Sequence, residues 1–537
     1  MRSNDRERVR VEVGSRVVSA FHSDSISGGL PLENLLNDTL YRERKRLEKD
    51  PPSSQRTQDL QFWNEVGRRL AHASEQELLV LLRRATERYV NEIIGHLNEI
   101  FYEVTTSMAP LGLGAVLNGL SPRRLLQGAT GLPGVEESIL LDGDVETLQK
   151  LQNKGSVILA PTHSSHVDSI AVGWALHHLG IPPFLYGAGL NLFSNPFMGF
   201  FMNNLGAYRV DRKKNNVLYK TVLKAYSVVA LEKGYNNLFF PGGTRSRSGA
   251  IERHLKLGLL GTGIEAYVRR LRMGKARPHV YVVPCTISYP LVLEAETLID
   301  DFLKETGKAR YIITDDEFSR PRRVFTFLRN IVRHDSRIRI RFCGALDVFG
   351  NKVNGDGESI DSRGRVIDTS KYVLVDGVPR LEPSRDREYT RELGTAITGA
   401  FARGNTVLST HVLAFATFRE LQDSNPDLDL YRLLRTGGNG EGLPVTRIYE
   451  LVETVCRLLT ERDDLARLSP ALVDVDPREL VIDALRAFGS YHTHPVLERR
   501  GDRLFAGDMN LLFYYHNRLS GYELEKVLLP MTSGRSL

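Results

Sequence analysis

Several common signatures are missing from this 537-residue chain, and each absence excludes a class of protein. The three cysteines, Cys285, Cys343 and Cys456, are far apart and lie in apolar runs, which predicts buried, reduced thiols in a cytosolic protein. No Cys-x-x-Cys pair, P-loop or Gly-x-Ser-x-Gly elbow occurs. The chain therefore lacks the usual signatures of a dithiol centre, a nucleotide-phosphate loop and a hydrolase nucleophile.

Long hydrophobic runs are also missing. No stretch reaches 18 uninterrupted apolar residues, so the sequence predicts no transmembrane helix. The charged N-terminal segment Met1–Val13 lacks the apolar core of a signal peptide. Two dense apolar segments, Leu111–Leu117 and Leu192–Met202, are too short to span a bilayer. Each is interpreted either as part of the core or as an interfacial or acyl-chain-binding segment.

The composition is that of a soluble globular protein, with 42% hydrophobic and 25% charged residues. The length predicts two or three domains. A net charge of +6 suits an anionic membrane surface, phosphorylated substrates or nucleic acid. Because no RNA-binding aromatic motif or helix-turn-helix is evident, nucleic acid is not expected as a partner.

Periodicity divides the chain into five zones. Residues 1–58 are polar and charge-rich and are expected to form an arm and linker, whereas residues 59–134 have a helical pattern. In residues 135–349 strands and helices alternate, which predicts an α/β core with a mostly parallel sheet flanked by helices. Residues 350–386 predict a polar surface insertion or hairpin, and residues 387–537 are again mostly helical.

The expected elements of the α/β core follow from its apolar runs. Strands are predicted at Ser156–Pro161, Phe184–Gly187, Leu238–Pro241, His279–Ile287 and Ile338–Leu346. Helices are predicted at Val167–His178, Asn216–Lys233 and His254–Leu271.

The segment His-Ser-Ser-His-Val-Asp at residues 163–168 carries the strongest chemical signal. It lies between a predicted strand and a predicted helix, so His163 and Asp168 fall where open α/β sheets place their sites. A carboxylate that accepts a hydrogen bond from one imidazole nitrogen leaves the other nitrogen available as a base. The pair resembles two-thirds of a Ser-His-Asp triad, and the missing hydroxyl can belong to a substrate.

A second segment, Phe240–Gly249, predicts a small anion-binding loop. Its glycines let the backbone approach a ligand, its arginines offer guanidinium forks, and its hydroxyls and amides are further donors. The candidate residues are Gly242, Gly243, Thr244, Arg245, Ser246 and Arg247. The alternative interpretation is a turn with a solvated basic face.

Four segments in this order resemble the four blocks of the glycerolipid acyltransferases. They are His163–Asp168, Gly206–Arg212, Phe240–Arg247 and Val283–Tyr289. Within that family, the chain is most similar to the bacterial glycerol-3-phosphate acyltransferases and the related dihydroxyacetone-phosphate enzymes.

The resemblance implies transfer of a fatty acyl group from acyl-CoA or acyl-carrier protein to glycerol 3-phosphate, making lysophosphatidate for phospholipid synthesis. It implies that His163 is the general base and that Asp168 orients its ring, with no metal, cofactor or acyl-enzyme. Arginines would hold the acceptor phosphate, and amides near Gly242 and Gly243 would stabilise the oxyanion. Substrate binding is thereby assigned to Arg212, Gly242, Gly243, Thr244, Arg245, Ser246 and Arg247.

The chain departs from the family pattern in two blocks. Family members usually carry Glu at the position of Gly242, so this carboxylate is absent here. In the second block Arg209 and Asp211 interrupt the pattern, and only Arg212 matches. These departures affect the expected identity of the acceptor more than the expected type of reaction. Lysophosphatidate or another glycerolipid is therefore an alternative acceptor.

Two alternatives come from other classes. In a metal-dependent hydrolase, His163, His166 and Asp168 would be ligands, but their spacing differs from His-x-His-x-Asp-His and Ser169 replaces the last histidine. A non-catalytic membrane-associated homologue is the second alternative, motivated by Gly242. The expected location is cytoplasmic, peripheral on the cytoplasmic face of the cell membrane, where the basic chain contacts anionic lipid.

Overall fold

The computed structural model describes residues 3–95, 139–190, 206–306, 323, 337–438, 440–462 and 464–526. Over these residues the chain is an α/β protein whose mostly parallel central sheet is flanked by helices. None of the described helices is both long enough and apolar enough to cross a bilayer. The apolar segments Leu111–Leu117 and Leu192–Met202, and the zone boundary predicted at residue 134, lie outside the described residues.

The α-helices and β-strands alternate through the middle of the chain. The described α-helices are α1 (Ser3–Ile26), α2 (Leu32–Lys49), α3 (Ser54–Leu70), α4 (Glu75–Ile93), α5 (Val145–Leu151), α6 (Val167–His178), α7 (Val217–Glu232), α8 (Leu257–Leu260), α9 (Thr262–Arg272), α10 (Ala295–Thr306), α11 (Pro383–Gly404), α12 (Ser409–Asp423), α13 (Leu430–Thr436), α14 (Val445–Glu461), α15 (Pro477–Phe488) and α16 (Met509–His516). The described strands are β1 (Ile139–Gly143), β2 (Ser156–Pro161), β3 (Leu185–Gly189), β4 (Ala207–Val210), β5 (Asn237–Leu238), β6 (Val280–Ser288), β7 (Ile338–Phe342), β8 (Leu346–Asp347), β9 (Lys352–Val353), β10 (Ser359–Ile360), β11 (Leu374–Val375), β12 (Val378–Pro379), β13 (Thr406–Val407), β14 (Leu443–Pro444), β15 (Arg467–Leu468), β16 (Leu497–Arg500) and β17 (Arg503–Ala506).

The main sheet has the order β10-β9-β8-β6-β2-β5-β3-β4, and β7 pairs with β6 and β1. Strands β6, β2, β5, β3 and β4 run parallel, whereas β7 and β8 pair antiparallel with β6. The central strand β2 is buried at every position, as expected for a strand with both faces covered. Its bounds and those of α6 agree with the sequence prediction.

Alternate residues of β2 belong to two different apolar cores, because successive side chains of a strand point to opposite faces. Val157 and Leu159 pack in a cluster that includes α6 and the C-terminal helices. Ile158 and Ala160 pack in a cluster that includes α9 and α11. The sheet is therefore covered on both sides, and its functional groups are restricted to the ends of the strands.

The prediction of a polar arm in residues 1–58 is wrong for the described residues 3–58. Helices α1 and α2 occupy most of this segment and share an apolar cluster with α3, α4 and α7. Val9, Val13 and Val17 form a stripe of buried side chains on α1. At a spacing of four residues this stripe follows one helix face. Because many charged residues lie between the three valines, the segment as a whole has a polar composition.

The segment 350–386 is partly a continuation of the sheet. β9 and β10 pair antiparallel and extend it beyond β8, whereas β11 and β12 form a separate two-stranded hairpin. The predicted surface hairpin is present in β11–β12, but Val373 beside it is fully buried. The C-terminal region is mostly helical as predicted, with the short strands β13 to β17 between its helices.

A buried polar network joins the N-terminal helices to the loop after β4. The Glu43 carboxylate accepts hydrogen bonds from Tyr89 Oη at 2.8 Å, Asn216 Nδ2 at 3.2 Å and Arg46 Nε at 2.9 Å. Lys214, in the same loop as Asn216, pairs with Glu92 of α4. The bundle formed by α1 to α4 therefore fixes the loop that carries Arg212.

Glu43→Ala should lower the free energy of unfolding of this bundle by about 3 kcal/mol, because it leaves buried donors without an acceptor. The measurement is urea unfolding followed by Trp63 fluorescence in a Trp174→Phe background, in which Trp63 is the only remaining tryptophan. Glu33→Ala, which removes an exposed carboxylate from the same helix, is the matched control. Equal stabilities for the two variants would contradict the role given to the network.

Candidate active site

The loop between β2 and α6 holds the candidate catalytic pair at the carboxyl end of the sheet. Thr162 anchors it to β6, since its N–H donates to the Cys285 carbonyl and its hydroxyl accepts from Ile287 N–H. His163 follows directly, and Asp168 lies in the first turn of α6. The sequence predicted this position correctly.

The Asp168 side chain is completely buried and accepts four hydrogen bonds. Oδ2 accepts from His163 Nδ1 at 2.8 Å and from the backbone N–H groups of Ser164 and Ser165 at 2.7 and 2.9 Å. Oδ1 accepts from the Tyr289 hydroxyl at 2.6 Å. These donors compensate for the lost hydration of the carboxylate and hold it in one orientation.

The imidazole of His163 is oriented by Asp168 on one edge and by Phe240 on one face. Its ring stacks on Phe240 with centroids 4.1 Å apart and an interplanar angle of 20°. Burial lowers the pKa of His163 against the opposing effect of Asp168, and the charges of Arg245 and Arg212 lower it further. The ring is therefore neutral near pH 7, with the proton on Nδ1, and Nε2 is available as a base.

The main chain of His163 is held by the loop that follows β5. The Ser246 N–H donates to the His163 carbonyl at 2.7 Å. The Glu252 carboxylate accepts from the His163 N–H at 2.6 Å. The predicted anion-binding loop therefore contacts the candidate base directly through hydrogen bonds.

Two of the predicted phosphate-binding arginines lie near His163. Arg245 lies 3.3 Å from the buried carboxylate of Glu294, measured from Nη1 to Oε1. Arg212 is exposed, and no described residue forms an ion pair with it. Partial loss of hydration and the neighbouring charge of Arg245 lower the pKa of Arg212. Two cations that repel each other beside a base form a suitable site for a phosphate.

Arg247 is positioned differently from the sequence prediction. Its Nη1 lies 2.8 Å from Asp301 and 2.8 Å from Glu305, both on α10. Arg247 thus pairs closely with two carboxylates, whereas Arg245 faces one at a longer distance, so the structure supports a brace between loop and helix more than phosphate binding for Arg247. An arginine two residues from Arg245 faces a different element because the chain turns within this loop.

Other predicted loop residues shape the loop itself. Gly243 has a φ of 79°, and its N–H donates to the Phe240 carbonyl at 3.0 Å, so this amide is not available for an oxyanion. The Ser246 hydroxyl donates to the Ala250 carbonyl at 2.6 Å. Thr244 is exposed, and Gly242 is partly exposed.

Several contributors to the site were missed by the sequence analysis. Tyr289 was part of a recognised block but received no role, although it immediately follows a buried strand. Glu294, which accepts from Ser165 Oγ at 2.7 Å and from His166 N–H at 3.0 Å, gave no local signal. Glu252 and the buried Arg518 likewise gave no local sequence signal. Arg518 comes to the site from a distant part of the chain.

The metal-site alternative gains no support from the described residues. Among them, no group of three or more His, Cys, Asp and Glu side chains is arranged to hold a metal ion. The His163 and His166 ring centroids are 6.4 Å apart, and His163 directs Nδ1 to Asp168.

The His163 ring should titrate below the ordinary histidine pKa of about 6.5. NMR of ring-labelled histidine measures this value, with His163→Gln assigning one resonance set among the 14 histidines. The neutral ring should show the Nδ1–H tautomer. A pKa above that of a histidine in a model peptide would show that Asp168 outweighs burial and would contradict the neutral base.

Comparison with known proteins gives a consistent result for this region. Residues 143–288 match the family model described as Acyltransferase. Among curated relatives, the glycerol-3-phosphate acyltransferase of Pseudoalteromonas translucida (strain TAC 125) is 34% identical over 169 residues, covering 31% of this chain and 20% of the relative. That of Pasteurella multocida (strain Pm70) is 33% identical over 156 residues, covering 29% and 18%. The match therefore spans about a fifth of the length of these relatives.

Proposed function

We propose that this chain, whose residues 143–288 match the family model described as Acyltransferase, transfers a fatty acyl group from a thioester to a hydroxyl of glycerol 3-phosphate. The product is lysophosphatidate, a precursor of phospholipids. The observation that carries the proposal is a neutral imidazole, held at Nδ1 by Asp168, with the cations Arg212 and Arg245 beside it. The names of the relatives support glycerol 3-phosphate as the acceptor.

The acceptor hydroxyl is the nucleophile in this mechanism. Nε2 of His163 takes its proton while the oxygen attacks the thioester carbonyl carbon, and the carbonyl becomes an oxyanion. Collapse of this intermediate breaks the carbon–sulfur bond, and the imidazolium returns the proton to the departing thiolate. Asp168 stabilises the imidazolium and maintains the tautomer. The thiol carrier is coenzyme A or acyl-carrier protein.

Phosphate recognition is assigned to Arg212 and Arg245. A phosphate dianion between them relieves their mutual repulsion and places the glycerol hydroxyl at a fixed distance from the base. Arg212 is held by a loop that the N-terminal bundle anchors through Asn216 and Lys214. The bundle thereby contributes to acceptor binding without contacting the acceptor.

An acceptor panel tests the proposal. Purified protein is incubated with labelled palmitoyl-CoA and glycerol 3-phosphate, dihydroxyacetone phosphate or lysophosphatidate, and the lipids are separated by chromatography. Glycerol 3-phosphate should give the highest kcat/KM and yield lysophosphatidate. If lysophosphatidate were the only substance acylated, it would take the place of glycerol 3-phosphate as the proposed acceptor. Thioester hydrolysis without transfer, or inactivity with every acceptor, would refute the proposed function.

We also propose a peripheral position on the cytoplasmic face of the cell membrane. The net charge of +6 favours anionic lipid, and the product is itself amphipathic. Co-sedimentation with vesicles tests the proposal: binding should require anionic lipid and weaken as salt rises. Equal binding to neutral vesicles would contradict it.

His163→Ala should reduce kcat by about 100- to 10,000-fold, as expected for loss of a general base. Asp168→Asn should also be severe, because an amide presents a donor where the ring needs an acceptor. Steady-state acyl transfer is measured for both, with circular dichroism as the check on folding. His72→Ala, which removes an exposed histidine in the N-terminal bundle, is the control. Near-normal turnover of folded His163→Ala would refute the mechanism.

Arg245→Lys should raise the KM for the acceptor by about ten- to 150-fold while leaving the KM for the acyl donor nearly unchanged. Lysine keeps the charge but loses the planar fork, so the variant tests geometry. Arg247→Lys should have a much smaller effect, because Asp301 and Glu305 already pair with Arg247.

The kinetics are measured with both substrates varied. Arg269→Lys, on the helix α9 and paired with Glu265, serves as the matched control for a charge-conserving change. A shift confined to the donor KM in Arg245→Lys would assign the loop to the acyl-donor side of the site.

A further inference from the structure

We propose that Glu252 is a positioning residue of this site, whose carboxylate holds the main chain of His163 and occupies the space beside Gly242. The inference rests on the proposed acyltransferase function. It adds a residue that acts through the base and explains why position 242 is glycine.

The first observation is the way in which the His163 main chain is held. Its N–H donates to Glu252 Oε1 at 2.6 Å, and its carbonyl accepts from Ser246 N–H at 2.7 Å. Both partners belong to the segment after β5, so one loop fixes both the N–H and the carbonyl group of His163. Because the ring position follows the main chain, Glu252 helps to set where Nε2 meets the acceptor hydroxyl.

The second observation is that a side chain at position 242 would crowd Glu252. A Cβ atom added to Gly242 would lie 3.0 Å from Cγ of Glu252 and 3.2 Å from its Oε1. Gly242 does not have the positive φ that requires glycine, in contrast to Gly243. The backbone would therefore accept another residue here, and the neighbouring Glu252 is what favours glycine.

These two observations give a single account of the departure at block three. The carboxylate beside the His163 main chain is that of Glu252, and a side chain at position 242 would crowd it. Glu252 as a whole residue is partly exposed, but loss of hydration around its carboxylate raises the pKa of Glu252 to about 7. The His163 N–H and the charge of Arg518 act in the opposite direction. Either protonation state retains an oxygen that accepts the His163 N–H.

Four variants test the inference: Glu252→Gln, Glu252→Ala, Gly242→Glu and the double variant Gly242→Glu/Glu252→Ala. Glu252→Gln keeps an acceptor oxygen and should retain kcat within about threefold. Glu252→Ala should lower kcat by about ten- to 100-fold and change the acceptor KM by less than about twofold, since the base and not the phosphate site is disturbed.

The substitution at position 242 should have opposite effects in the two backgrounds. Gly242→Glu alone should lower kcat, because the new side chain crowds Glu252 with a second carboxylate. In the Glu252→Ala background the same substitution should restore most of kcat, because it returns a carboxylate to the vacated space. Glu265→Ala, which removes a partly exposed carboxylate on α9 that pairs with Arg269, is the matched control.

A second readout does not depend on activity. The His163 amide should exchange with deuterium faster in Glu252→Ala than in wild type and Glu252→Gln. A wild-type protein without acyl transfer would refute the proposed function, and the exchange data would still test Glu252. Unchanged exchange in Glu252→Ala, full activity of this variant, or a double variant no better than it would overturn the inference.

Discussion

A carboxylate without access to solvent needs hydrogen-bond donors, and Asp168 has four. Two come from the backbone of the loop that joins β2 to α6, one from the ring of His163, and one from Tyr289 at the end of β6. The carboxylate therefore joins two parallel strands and the base. It also determines which ring nitrogen carries the proton, so the reactivity of His163 depends on the packing of the strand ends.

The rest of the site is arranged around that pair by regions that are far apart in sequence. The loop after β5 holds the main chain of His163, and the N-terminal bundle anchors the loop that carries Arg212. Arg518, from the far end of the chain, donates to the carbonyl of Ile287 at 2.8 Å. The proposed acceptor binding and base chemistry therefore depend on elements outside the candidate site itself.

Local sequence was sufficient for the centre of the fold and for the candidate pair. β2 is a continuous apolar run and α6 follows it directly, so the positions of His163 and Asp168 could be predicted from neighbouring residues. The bundle helix α1 was missed because charged residues conceal its valine stripe. Arg247 was assigned to phosphate because the turn that directs it toward Asp301 cannot be read from spacing. The contact between Glu252 and His163 joins residues far apart in the chain, and no local pattern indicates it.

The most direct test of the central claim is a crystal structure with glycerol 3-phosphate bound. The phosphate is expected between Arg212 and Arg245, and a glycerol hydroxyl is expected within hydrogen-bond distance of His163 Nε2 while Nδ1 stays hydrogen-bonded to Asp168. A glycerol 3-phosphate molecule bound with its phosphate away from both arginines, or with no hydroxyl near Nε2, would contradict it.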